Sequence, residues 1–270
     1  MSDENNSNDS FERATAVAAV GSDRFEANIP DGWQQGRGAF GGVVFGTLAR
    51  ALELTENSER PLRALTGEIP SPLGVGAALV QTRTMRRGKG LSSHVAEIVQ
   101  GGESIARATG IFGDDRPVDL VEEMHWSKEP KPFEDSPVVP ESALAARFAK
   151  HLEFRLVSRP PFSGGDEAII RGWVRFRNAP SKIGAPEILA YADSYWPTLF
   201  SLAKAPRPAA TVGFYLHVVP RAYDHNPLEP VFCENRGRAI NGGYTLEERV
   251  VFNAKGEMLA FNTQSFVIIQ

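Results

Sequence analysis

Cysteine is almost missing from this chain: Cys233 is the only one in 270 residues, which excludes an intramolecular disulfide and fits a reducing compartment. No apolar run approaches the ~20 residues that a membrane-spanning helix needs. Neither sign of charge dominates, with 29 Lys and Arg against 33 Asp and Glu. A net charge of −4 gives nucleic acid or an anionic membrane no global attraction. The five histidines (His94, His125, His151, His217 and His225) lack metal-ligand spacing, so no metal is expected. The first dozen residues have no apolar core of a signal peptide, and residues 1–20 read as a flexible tail. A cytoplasmic protein is the expectation.

What is present is an element order that occurs twice. In the first half, residues 21–113, an extended stretch at Arg24–Ile29 precedes an apolar helix from Gly41 to about Leu54. Strand-like segments come next at Pro61–Ile69, Gly76–Met85, Ser92–Gln100 and Ser104–Phe112, separated by Gly-rich turns. Residues 114–142 hold five prolines and many charges, and read as an irregular linker. In the second half, residues 143–270, strands near His151–Val157 and Ala168–Arg177 lead to a helix from Pro186 to about Ala203. Four more strands are expected at Thr211–Val219, Val231–Ala239, Gly243–Phe252 and Met258–Ile269. The helix at Gly41 is apolar on nearly every side, so it must be covered almost all round. A strongly curved antiparallel sheet wrapped about one central helix meets that demand. The expected class is α+β, a double hotdog built from two tandem units.

Three polar residues stand in apolar surroundings in the second half. Asp193 shares a helical stripe with Leu189, Trp196 and Phe200, Gln264 interrupts an apolar strand, and Thr211 opens one. A buried carboxyl or amide without a partner costs about 2–7 kcal/mol, so such groups tend to meet one another or a shared water. Burial raises a carboxyl's pKa toward neutrality, which suits a general base. Each of the three also has a structural reading, and Thr211 has the strongest one, since threonine is common at strand starts for propensity alone. Gly41 and Gly42 open the first helix, where unpaired N–H groups and close approach could hold an oxyanion or serve packing only. Arg83, Arg86, Arg87 and Lys89 surround a hairpin turn, either as a solvated basic turn or as contacts for phosphates. Gly36, Gly38 and Gly41 spell a dinucleotide-type glycine pattern, but no buried strand precedes them.

The segments GRGAFGGVVFGTLARAL (Gly36–Leu52), SSHVAEIVQGGESIARATGIFG (Ser92–Gly113), PEILAYADSYWPTLF (Pro186–Phe200) and LAFNTQSFVI (Leu259–Ile268) together resemble the double-hotdog acyl-CoA thioesterases of the thioesterase II type. The resemblance spans the chain apart from the tail and the linker. It implies hydrolysis of acyl-CoA, with Asp193, Thr211 and Gln264 holding the attacking water. Substrate contacts are expected at Gly41, Gly42, Trp196, Arg86 and Arg87, and the resemblance further implies no cofactor beyond the CoA of the substrate and association of copies through their sheets. Where that family often has glutamine after Phe-Gly-Gly, this chain has Val43. The first half lacks the trio, with Ala108 and Thr109 where a glutamine would match, so one site per chain is expected. The rival reading is a non-catalytic acyl-CoA binding or sensing module on the same fold.

Overall fold

The computed structural model describes residues 10–120 and 122–269. A short helix α1 (Phe11–Ala14) leads into β1 (Val17–Gly21), β2 (Arg24–Ile29) and a small hairpin of β3 (Gln34–Gln35) and β4 (Gly38–Ala39). Helix α2 (Gly41–Glu56) is followed by β5 (Leu62–Glu68), β6 (Gly76–Arg87), β7 (Leu91–Gln100) and β8 (Glu103–Gly113). Beyond the linker come β9 (Leu152–Leu156), β10 (Ile169–Phe176), α3 (Ala185–Asp193) and α4 (Leu199–Leu202). Strands β11 (Ala209–Val218), β12 (Val231–Asn241), β13 (Tyr244–Phe252) and β14 (Met258–Ile268) complete the chain.

Twelve strands form one antiparallel sheet in the order β1-β2-β6-β7-β8-β5-β11-β14-β13-β12-β10-β9. The two halves join where β5 pairs β11, with Thr66 opposite Tyr215 near the centre of the seam. Outward from that seam the order is β8-β7-β6-β2 on one side and β14-β13-β12-β10 on the other, a quasi-twofold arrangement. The double-hotdog class expected from the sequence is the one observed. No helix among the described residues is long and apolar enough to cross a membrane.

Helices α2 and α3 lie antiparallel inside the curl of the sheet, and glycine is what lets them meet. A Cβ added at Gly42 would stand 2.8 Å from the Cα of Ala190, whereas one at Gly46 would crowd the N-terminal segment, 2.8 Å from the Thr15 side chain. Around α2, Val43, Val44, Phe45, Leu48, Ala49, Ala51 and Leu52 are all buried. The N-terminal segment supplies part of that cover, which corrects the expected flexible tail for its described residues. Phe11 is buried beside Trp33 and Phe176, and its ring reaches the position of Gly46. One apolar residue in a polar stretch gave no periodic signal, yet it covers a face of α2 that would otherwise meet water. Residues 1–9 of that tail lie outside the described residues.

The second expected helix is broken into α3 and α4. Pro197 has no N–H to give the carbonyl of residue 193, so the helical ladder stops at Asp193. At the other end of the pair, Arg50 meets Glu187 at 2.6 Å, and Glu187 also accepts the Gly184 N–H at 2.8 Å.

The C-terminus of α2 is tied down by a buried polar cluster. Arg87 donates to the carbonyls of Glu56 and Thr55 at 2.8 and 2.9 Å, relieving the unpaired groups of a helix end. His94 Nε2 lies 2.6 Å from Glu56, and Ser92 and Ser58 donate to the same carboxylate. Burial pushes the Glu56 pKa up, but these hydrogen bonds and the Arg87 charge outweigh it and hold it at about 2. Removing one partner of such a buried group leaves the others unsatisfied. Glu56→Ala should therefore cost about 3–5 kcal/mol of stability by chemical denaturation; an unchanged midpoint would show that the cluster does not anchor α2.

Candidate active site

Asp193 is the last residue of α3, where the helix has run out of backbone partners. Its side chain is 8% exposed and faces the start of α2: a Cβ placed on Gly41 would lie 2.3 Å from Asp193 Oδ2. Gln264, 1% exposed on β14, donates from Nε2 to Asp193 Oδ1 at 3.0 Å. Its Oε1 is buried with no hydrogen-bond partner among the described residues. Burial raises the Asp193 pKa to about 6 against the opposing pull of Arg249, Gln264 and the Gly42 N–H, with Glu247 adding to the rise.

Thr211 reaches the same wall through a bulge. On β11, Phe214, Leu216 and Val218 point inward, whereas Tyr215 and His217 are exposed. Strict alternation along the observed strand would turn Thr211 outward with Gly213. The register instead shifts between Thr211 and Gly213, so Thr211 lies opposite Phe266 and Phe214 lies opposite Gln264. A bulge adds one residue to one strand and re-aims the side chains on its far side. Thr211 thus shares the inward face of β14 with Gln264, one inward position further along. Its own side chain makes no hydrogen bond among the described residues, so the structure joins Asp193 to Gln264 directly and Thr211 only by register.

Two functional neighbours have no warning in a motif. Glu247 lies opposite Gln264 on β13, and Arg249 lies opposite Asn262. They are 0% and 1% exposed and pair at 3.1 Å. Arg249 donates to the carbonyls of Ala192 and Tyr195 at 3.3 and 3.1 Å, and Glu247 accepts the Thr198 N–H at 2.6 Å. The cation meets the negative end of α3, and the anion meets the amide beyond the break. Together they clamp the turn that carries Asp193. The signal was available: alternation puts Glu247 and Arg249 on one face with Val251, which is buried.

The remaining candidates play other parts. Trp196 is half-buried beside Phe154 and Tyr195, just past Asp193. Arg86 is exposed, and Arg87 is committed to the end of α2 rather than lying free for a ligand. Cys233 is buried against the carbonyl of Tyr191, and burial pushes its thiol up to about 12, which removes it as a nucleophile. No group of three His, Cys, Asp or Glu that could hold a metal occurs among the described residues.

Quasi-symmetry explains why one half carries the constellation. Leu62 pairs Phe112 beside a bulge just as Thr211 pairs Phe266. Gly110, between Leu65 and His94, takes the place of Gln264, between Phe214 and Glu247. Ala49 lies as far from the N-cap Phe40 as Asp193 lies from Gly184. The register therefore moves the expected counterpart of Gln264 from Ala108 and Thr109 to Gly110. A Cβ at Gly110 would come within 3.0 Å of Leu62 and 3.1 Å of Leu52, so apolar side chains already crowd the first-half position.

Comparison with solved structures places the fold among hotdog proteins. A conserved hotdog protein of unknown function from Alicyclobacillus acidocaldarius superposes with a TM-score of 0.88 at 22% identity, covering 96% of this chain and 98% of that one. The acyl-CoA thioesterase II TesB2 from Mycobacterium marinum gives 0.79 at 16%, covering 96% and 98%. The tesB protein of Mycobacterium avium subs paratuberculosis gives 0.79 at 15%, with the same coverage. The sequence itself matches the acyl-CoA thioesterase N-terminal domain over residues 29–113 and the C-terminal domain over residues 123–268. The chain belongs to the acyl-CoA thioesterase family. No curated protein matches it.

The raised pKa of Asp193 makes a stability prediction of definite sign. Its folded value lies above the ordinary 3.8, so the folded chain keeps this proton longer than the unfolded chain. Stability therefore falls as pH rises from about 4 through about 6, by on the order of 2–3 kcal/mol in total. Asp193→Asn, which keeps the acceptor for Gln264, should melt higher than wild type at pH 8 and no higher at pH 4. Equal melting temperatures at both pH values would mean that the carboxylate is not held in a desolvating site.

Proposed function

We propose that the chain hydrolyses acyl-CoA thioesters with a water held between Asp193 and Gln264. The observation that carries this reading is the buried Gln264 amide. Its Nε2 is spent on Asp193 Oδ1, which leaves Oε1 as an unfilled acceptor beside a carboxylate at the start of a helix. An acceptor in that place is satisfied by a hydrogen of water, not by a carbonyl oxygen. Asp193 takes the other proton as the water oxygen attacks the thioester carbonyl, and Thr211 supports the same water from the next strand. The positive end of α2 at Gly41 and Gly42 stabilises the developing oxyanion, although the Gly42 N–H is shared with Asp193. As the tetrahedral intermediate collapses, the C–S bond breaks, and the proton held by Asp193 passes to the departing thiolate. The products are the carboxylic acid and CoA. A carboxyl with a pKa of about 6 is mostly ionised at neutral pH and still basic enough to accept the proton.

A panel of acyl-CoA thioesters read with a thiol-reactive dye tests this directly. Asp193→Ala should lose about 10²–10⁴-fold in turnover, as expected for a general base, and Gln264→Ala about 10²-fold, as for one lost oriented hydrogen bond in a buried site. In the wild type, kcat/KM should rise with pH through about 6 and then level off. Tight acyl-CoA binding without thiol release from any member of the panel would replace hydrolysis by the binding-module reading.

A further inference from the structure

A cleft of about 540 Å³ opens beside β10 and β12, between the linker and the loop that joins β9 to β10. Its size falls within the roughly 300–1,000 Å³ of small-molecule sites. It faces away from the core, because Arg171 and Arg236 alternate with the buried Ile170 and Asn235. Lys128 from the linker, Arg159 from the loop and Arg236 from β12 line it, and none of the three forms an ion pair among the described residues. A fourth cation, Arg171, is committed to Glu234 at 2.8 Å. Asp166 and Glu167 bring two carboxylates to the same cleft.

The loop wall is built, at a cost in backbone strain. Phe162 has a φ of 64°, which is worth about 1–3 kcal/mol of strain for a bulky residue. It is held there by its N–H to the carbonyl of Phe200 at 2.6 Å and by ring contact with Phe200 at 4.8 Å. The N–H groups of Gly164 and Gly165 bind the carbonyls of Ala203 and Ser201. The loop is thereby fixed to α4, the segment just beyond the Asp193 turn.

Cations left without acidic partners, beside carboxylates that they do not neutralise, suit a ligand carrying both phosphate and hydroxyl or amino donors. Arginine forks onto phosphate oxygens, and carboxylates accept from ribose hydroxyls. The cleft lies on the other face of the sheet from the candidate site, and Ser201, which lines it, belongs to α4 just beyond the Asp193 turn. Gly237, next to Arg236, pairs Glu247, which pairs Gln264. Two strand spacings, about 10 Å, separate Gly237 from Gln264. The pantetheine arm of CoA is longer than that.

We infer that this cleft binds the phosphorylated nucleoside end of CoA, with the arm passing the turn between α3 and α4 toward Asp193. The inference rests on the acyl-CoA reading of the site. It moves phosphate recognition away from the turn at Arg86 and Arg87. Calorimetry of the full chain with adenosine 3′,5′-bisphosphate tests it without any turnover. The wild type should bind, Arg159→Gln with Arg236→Gln should bind at least about tenfold more weakly, and the paired Lys substitutions should keep most of the affinity. In parallel, the preference in kcat/KM for an acyl-CoA over the matching acyl-pantetheine should fall about tenfold in the Gln double variant. Wild-type bisphosphate binding by that variant, or no binding by the wild type, overturns the inference even if thiol release is intact. Arginine-dependent bisphosphate binding by a chain that releases no thiol would support the cleft while removing hydrolysis.

Discussion

Close packing of two antiparallel helices is the constraint on which the site depends. A side chain at position 42 would press on the backbone of Ala190 and hold α2 away from α3, and the start of α2 would then miss Asp193. With glycine there, the positive end of one helix meets a carboxylate at the negative end of the other. Each helix end offers the other what it lacks, and the carboxylate needs no exposed lysine or arginine to be tolerated. The sheet answers to the same constraint: two helices in contact, apolar on most sides, require a continuous curved wall, and twelve strands joined at the β5–β11 seam supply it.

Much of this was legible in the chain because it rests on local pattern. The apolar helix at Gly41, the strands from β5 to β8 and the Gly-rich turns are all set by periodicity and turn chemistry. Strand β2 and each strand from β5 to β14 lie within two or three residues of their expected spans, whereas β1, β3 and β4 were not expected. The features that escaped depend on contacts distant in sequence. Pro197 announced a disturbance in the second helix, but a complete break at Asp193 required Arg249, fifty-six positions on, to take up the freed carbonyls. The inward turn of Thr211 depends on a register shift against β14, which alternation along β11 alone reads the wrong way. Phe11 has no periodic neighbours, and only the face of α2 that it covers accounts for its burial.

The asymmetry of the two halves has a packing origin. The framework repeats closely, down to the bulge near Leu62 and its counterpart at Thr211. A polar trio needs room and partners, and the first half has neither at those positions. Ala49 and Leu62 are buried and apolar, and Gly110 is crowded by Leu62, Leu52 and Phe112, so a longer side chain at that place in the strand has no room. The polar groups of that half collect instead at the end of α2, where Glu56, His94 and Ser92 anchor the helix. One half is thus polar where chemistry is proposed, and the other is polar where it stabilises.

Charge balance around Asp193 completes the design. Arg249 pulls the carboxyl pKa of Asp193 down. Glu247 lies on the same wall, pairs with that arginine at 3.1 Å and acts on Asp193 with the opposite sign. Burial is the largest influence on the carboxyl and outweighs the pull of Arg249, and Glu247 adds a smaller rise of its own. The same pair holds the turn rigid through Ala192, Tyr195 and Thr198. The ion pair therefore fixes the turn, while its anion works against the pull of its cation on Asp193.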